Sequence, residues 1–227
     1  MSKFTIPGLH QKRSNKMPHD HHHGPSIDPD RLARYQTLAR AVTELLIEKH
    51  IISLEEIENT IKKMDERGPA LGAKMVARAW SNSHYKKSML SDGSAAAEAL
   101  GIPVDGTKLV VVENTEKVHN LVVCTLCSCY PRNILGLPPR WYKSIAYRAR
   151  AIKEPRNVLK EFGTIIPDTV SLRVHDSTAD MRYLVLPTRP GNTEGWNEER
   201  LSELVTRDCM IGTRHALTPT EHAEIHC

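Results

Sequence analysis

The stretch Val123-Cys124-Thr125-Leu126-Cys127-Ser128-Cys129-Tyr130-Pro131 crowds three thiols into six residues. It follows Leu121-Val122-Val123, a β-branched run that favours a strand. The 227 residues hold only five cysteines, the other two being Cys209 and Cys227. Five is an odd number, so a complete set of internal disulfides is impossible. The crowding therefore calls for a different chemistry.

Upstream of the cluster, Leu109-Val110-Val111-Val112 reads as a second strand. Downstream, Pro138-Pro139 precedes an expected helix through Tyr147. Pro155 suits the first turn of another helix and Gly163 its end. Val170–Val174 and Met181–Leu186 read as two more strands, parted by the turn-like Asp176-Ser177. Asn197 is placed to cap a final helix through Val205. Farther upstream the pattern is helical. Leu32, Tyr35, Leu38, Val42, Leu45 and Leu46 recur at helical spacing. Ser53 and Glu56 have the spacing of a capping box, Ile57, Ile61 and Met64 form one face, and Gly68-Pro69 interrupts the pattern before it resumes from Lys74 to Trp80. The expected fold class is α+β: an N-terminal helical arm followed by a layered α/β/β/α-type metal-binding domain. The expected divisions are a disordered tail over 1–27, the arm over 28–106, the metal-binding domain over 107–217 and a C-terminal tail over 218–227. The arm has little aromatic content for a core of its own. It is expected to pack on the rest of the chain or on a partner.

Composition narrows the function. Lys and Arg number 31 against 27 Asp and Glu, a net charge of only +4, and no basic stripe dominates, which argues against nucleic-acid binding by bulk charge. No run of about 18 apolar residues occurs, so no membrane span is expected. The N-terminus lacks the apolar core of a signal peptide, and a cytoplasmic location is expected. The tail segment His19-Asp20-His21-His22-His23 is a compositional run that imidazole-binding ions would suit.

Several chemistries compete for the cysteine cluster. A structural zinc site needs four ligands, commonly as two separated pairs, and Cys209 and Cys227 do not form a second pair. A redox pair of Cys124 and Cys127 leaves Cys129 without a role. An iron–sulfur cluster lacks its fourth thiolate. Three buried thiols with no ligand is the bland alternative. A compact claw is the remaining one, with three sulfurs and the peptide nitrogens of Ser128 and Cys129 around one ion. Five donors leave one position open, as catalytic metals require. Deprotonated amides demand a strongly Lewis-acidic ion such as Co(III) or Fe(III), which polarises a substrate or acidifies a bound water.

At this point the chain resembles a known family. Cys124-Thr125-Leu126-Cys127-Ser128-Cys129 is similar to the metal-binding motif of nitrile hydratase α subunits. The similarity extends through Tyr130-Pro131, Leu135-Gly136-Leu137-Pro138-Pro139 and Trp141-Tyr142-Lys143. Upstream it includes Val112-Glu113-Asn114-Thr115 and Val118-His119. Downstream it includes Arg182-Tyr183-Leu184-Val185-Leu186-Pro187, Thr193-Glu194-Gly195-Trp196 and Val205-Thr206-Arg207-Asp208. It spans about residues 31 to 213. The resemblance implies that Cys124 is the axial thiolate, that Cys127 is oxidised to sulfinate and Cys129 to sulfenate, and that Ser128 and Cys129 give the amide donors. It implies catalytic roles for Cys129, Ser128 and Cys127. Thr125 stands where the cobalt branch carries Thr, so the implied cofactor is one Co(III), with iron less favoured. The implied reaction converts R–C≡N to R–C(O)NH2. The implied partners are a β subunit whose arginines meet the oxidised sulfurs, a small nitrile or thiocyanate, and a metallochaperone or activator.

Departures from that pattern bear on the substrate. Arg132-Asn133 replaces a common Trp-Pro, and Arg at this point resembles the related thiocyanate hydrolase γ subunit. An always-charged guanidinium favours an anion. Cys209 leans the same way. Asp105 stands where the family often has Gln, which makes Asp105 and Arg132 the expected pocket residues. His175 stands where Trp is usual and is expected to be a packing residue. Hydrolysis of thiocyanate to carbonyl sulfide and ammonia is the alternative activity. A non-catalytic metal-handling protein is the alternative class.

Overall fold

The computed structural model describes residues 29–65, 67–104, 106–126 and 129–226. The expected 1–27 tail, with its histidine run, lies outside them. So do Asp105, Cys127, Ser128 and Cys227. Among the described residues the chain begins with five helices, α1 (Pro29–Glu48), α2 (Leu54–Asp65), α3 (Pro69–Ser81), α4 (Ser83–Ser91) and α5 (Gly93–Glu98). Strands β1 (Lys108–Glu113) and β2 (Val118–Val123) follow, then short helices α6 (Arg132–Leu135), α7 (Arg140–Lys143), α8 (Ile145–Lys153) and α9 (Pro155–Glu161). The chain ends with β3 (Ser171–Asp176), β4 (Met181–Leu186), α10 (Glu198–Ser202), α11 (Arg207–Ile211) and α12 (Pro219–His226). The class is α+β.

The strands pair across long separations. β1 pairs with β4 and β2 with β3, both in parallel. Parallel neighbours need a long crossover, and α6 to α9 provide it between β2 and β3. The two sheets touch through β1, β2 and β4. Helices α4 and α5 lie against β1, while α8 and α9 lie against β2 and β3. This places helices outside and sheets inside. Buried Leu109, Val111, Leu121, Val123, Leu184 and Leu186 fill the space between them.

Packing on the body of the chain begins at α3. Its Met75, Val76 and Ala77 are fully buried, and it packs against α10, α6 and α11. By contrast Tyr35, Leu38, Val42 and Leu45 of α1 are exposed. The Ser53 capping box forms as expected. Glu56 Oε2 accepts from the Ser53 N–H at 2.7 Å, and the Glu56 N–H donates to Ser53 Oγ at 3.1 Å.

Three expected boundaries shift. The helix expected through Tyr147 is two helices, because Ser144 takes an extended conformation (φ −66°, ψ 141°) and its hydroxyl caps α8 by accepting from the Tyr147 N–H at 3.1 Å. The helix expected from Asn197 to Val205 stops at Ser202. Asn197 does cap it, but Thr206 opens the separate helix α11, and α12 comes after it. Asp176 is the last residue of β3 rather than a turn, because its backbone stays in register with Val123.

Gly212 ends α11 with φ +87°, donating to the Asp208 and Cys209 carbonyls. A Cβ at this position would lie 1.9 Å from the Asn120 carbonyl oxygen on β2. Both backbone conformation and space therefore require glycine. Gly212→Ala is expected to destabilise the chain by about 3 kcal/mol or more, lowering the thermal midpoint by roughly 6–12 °C. Calorimetry of the purified variant checks this, and an unchanged midpoint contradicts the packing described.

Candidate metal centre

The site is assembled at the end of β2. Cys124, the first residue past the strand, is wholly buried, and Cys129 is 9% exposed. Neither is in a disulfide. Between them Leu126 is 86% exposed, so the chain reaches the surface two residues after Cys124. Cys127 and Ser128, the two expected donors in between, lie outside the described residues. Among the described residues no group of three or more His, Cys, Asp or Glu side chains is placed around one point.

The flanks of the loop are held from two directions. Ser177 extends the β2–β3 ladder by donating to the Val123 carbonyl at 2.7 Å. Asp176 then receives both the Thr125 N–H (2.9 Å) and the Thr125 hydroxyl (2.5 Å) on its two oxygens. Charged acceptors make the stronger hydrogen bonds. From below, the Tyr142 hydroxyl donates to the Cys129 carbonyl at 2.9 Å, and the Tyr147 hydroxyl to the Val122 carbonyl at 2.6 Å. Burial pushes both phenols well above their ordinary pKa, so each keeps the proton it donates. Trp141 and Phe162 pack edge-on around Tyr147 and one another, with Trp141 centroids 4.9 Å from Tyr147 and 4.7 Å from Phe162. This aromatic plate fixes the two tyrosines. A chain with so few aromatics spends four of them beneath one loop. That concentration in sequence was the available signal for their role.

Beyond Cys129, Tyr130 is buried with its ring edge-on to Tyr142 at 5.1 Å. Pro131 leads into α6, whose first residue is the exposed Arg132. Arg132 borders a cleft of about 150 Å3 together with Val104, Thr107, Tyr130, Pro131 and Arg182. Among its described lining residues there are two arginines and no carboxylate. The structure thus brings Arg132 close in chain and space to the cysteine loop.

Two other singled-out residues lie elsewhere. Cys209 is fully buried in α11, where its thiol donates to the Thr206 carbonyl at 3.0 Å. Burial pushes its pKa up to about 12, so it is an inert core thiol, and it does not border the cleft. His175 packs against Tyr183, ring centroids 5.0 Å apart, and hydrogen-bonds Asn120. Burial, with the nearby Arg173 charge, lowers its pKa. Desolvation likewise lowers that of His119.

Known proteins share much of this sequence and this fold. The family model described as nitrile hydratase, alpha chain, matches residues 33–214. The chain is 48% identical over 184 residues to the low-molecular-weight cobalt-containing nitrile hydratase subunit alpha of Rhodococcus rhodochrous, a match covering 80% of this chain and 89% of that one. It is 42% identical over 195 residues to the thiocyanate hydrolase subunit gamma of Thiobacillus thioparus, covering 81% and 80% respectively. Among solved structures, a double mutant of the Fe-type nitrile hydratase from Comamonas testosteroni Ni1 superposes with a TM-score of 0.78 at 40% identity, covering 82% of this chain and 92% of that one. With a family-model match over residues 33–214 and a relative 48% identical over most of both chains, the chain belongs to the nitrile hydratase alpha-chain family.

Proposed function

We propose that the chain is the metal-bearing α subunit of a cobalt-dependent nitrile hydratase, which adds water across R–C≡N to give R–C(O)NH2. The observation that carries this is the loop itself. Cys124 and Cys129 are buried, neither is in a disulfide, and the backbone on either side is clamped by Asp176 and Tyr142. Soft sulfur donors at buried positions suit a Lewis-acidic transition ion. Cys124, Cys127 and Cys129 would supply the sulfurs, and Ser128 and Cys129 the amide nitrogens. Bound Co(III) would supply the Lewis acidity that makes a nitrile carbon electrophilic. Cys127 would be oxidised to sulfinate and Cys129 to sulfenate, whose oxygen is the candidate base or nucleophile.

The chain needs a partner for this. Oxidised sulfurs need donors, and a β subunit would bring arginines to them. The exposed apolar residues of α1 and exposed Leu126 at the loop give such a subunit surface to cover. A metallochaperone or activator would load the ion. No helix among the described residues is long and apolar enough to cross a membrane, and a reducing cytoplasm suits Cys209 as a thiol. A purely metal-handling role has no use for an open coordination position, and removal of residues 1–27 would leave turnover unchanged if the histidine run is not catalytic.

Arg132 supports a second reading, hydrolysis of thiocyanate. With Arg182 it makes the cleft beside the loop cationic, which suits an anion over a neutral nitrile. Asp105, the other expected pocket residue, would temper that charge if it shares the cleft.

Co-expression with a nitrile hydratase β subunit in cobalt medium tests both readings. The expected result is about one cobalt per chain, oxygen added to Cys127 and Cys129 by mass, and turnover of acrylonitrile above that of thiocyanate. Cys124→Ala, Cys127→Ala and Cys129→Ala are each expected to lose bound cobalt or all turnover, and full activity in any one contradicts the claw. Arg132→Trp is expected to shift preference toward acrylonitrile over thiocyanate by about tenfold, roughly 1.4 kcal/mol. An unchanged ratio would place Arg132 outside the substrate pocket.

A further inference from the structure

His175 has no part in the chemistry above, yet it sits next to the residue that clamps the loop. Its Nε2 lies 2.8 Å from Asn120 Oδ1. An amide oxygen only accepts, so Nε2 carries the proton. The orientation of Asn120 is set by its own donors. Its Nδ2 gives one hydrogen to the Glu113 carbonyl (2.8 Å) and one to Asn114 Oδ1 (3.0 Å). Asn114 Nδ2 faces His119 Nδ1 at 3.4 Å, and His119 Nε2 donates to the Gly212 carbonyl at 2.8 Å. Donation therefore runs one way along four side chains, from β3 through β2 to the end of α11. Asn114, His119 and Asn120 are all buried, where a lost partner is costly.

The register explains why His175 matters to the loop. His175 stands opposite Val122 and Asp176 opposite Val123. Consecutive strand residues leave by opposite faces. On one face His175 reaches two residues back along β2 to Asn120. On the other, Asp176 reaches two residues forward to Thr125. The end of β3 is thereby fastened to β2 on both faces, and the His175 ring also rests on Tyr183 of the second sheet.

We infer that His175 is a positioning residue for the cysteine loop, its Nε2–H bond to Asn120 holding the end of β3 where Asp176 receives Thr125. The inference rests on the proposal that this loop holds a metal. Loss of the donor leaves Asn120 Oδ1 without this partner and the end of β3 fastened on one face only.

Two variants of the co-expressed complex, grown with cobalt(II) chloride, separate the parts. His175→Phe keeps a ring against Tyr183 and removes the donor, whereas His175→Gln keeps an N–H donor and removes the ring. The Phe variant is expected to speed amide hydrogen exchange of the peptide containing Thr125 by about tenfold, weaken the sulfur-to-cobalt charge-transfer absorption and lower cobalt content several-fold. The Gln variant is expected to restore most of all three. Wild-type exchange and absorption in the Phe variant would overturn the inference, as would a Gln variant no better than Phe. If the Phe variant does not fold, 15N spectra of the wild-type His175 ring decide: a proton on Nε2 supports the inference and one on Nδ1 overturns it. A wild-type complex that takes up no cobalt would defeat the proposed function, while the exchange comparison would still decide the role of His175.

Discussion

The carboxylate of Asp176 accepting two hydrogen bonds from Thr125 is the contact on which the site depends. It joins the end of β3 to the residue immediately after Cys124. A loop with three closely spaced thiols has no regular structure to hold it, so its geometry must come from outside. Here it comes from a neighbouring strand on one side and from the Tyr142 hydroxyl on the other. Each bond contributes only about 1 kcal/mol of net stability. Their value lies in fixing position, because a ligand set displaced by even an ångström loses its ion's geometry.

Parallel pairing makes that clamp possible. In β2 and β3 the chain runs the same way, so both strands end at the same edge, and the cysteine loop and Asp176 leave together. The helices of the crossover then fold back beneath that edge and carry Tyr142 and Tyr147 to it. The buried amide and imidazole chain works on the same problem deeper in the core. It ties β2 to the end of α11, where only glycine fits against the Asn120 carbonyl. Side-chain polar groups so placed specify one register, since a slip of one residue would leave each of them unpaired.

Much of this was legible in the sequence where the signal is local. The strand runs at Val111 and Val122, the Ser53–Glu56 box, the Asn197 cap and the cysteine spacing each depend on residues within one turn or one strand. What was not legible depends on contacts across the chain. Nothing near Asp176 says that it continues a strand, because the ladder that extends it comes from Val123, more than fifty residues earlier. Nor does the sequence show that Ser144 interrupts a helix, since capping and helix-interior serines look alike in one dimension. Trp141-Tyr142 and Tyr147 stand close together in the sequence, but only the fold aims the two tyrosine hydroxyls at the carbonyls flanking the loop. Cys209 shows the opposite case. Its type suggested a bearing on substrate choice, and its burial in α11 makes it a core thiol away from the cleft.

In the proposed function, the loop from Cys124 to Cys129 holds a cobalt ion through sulfur. X-ray absorption at the cobalt edge, measured on the chain co-expressed with a β subunit, tests most directly whether sulfur binds the ion. The expected result is three sulfur scatterers around cobalt together with light-atom donors, and loss of one sulfur in whatever cobalt the Cys124→Ala complex retains. A shell made only of oxygen and nitrogen, with cobalt still bound, would contradict it.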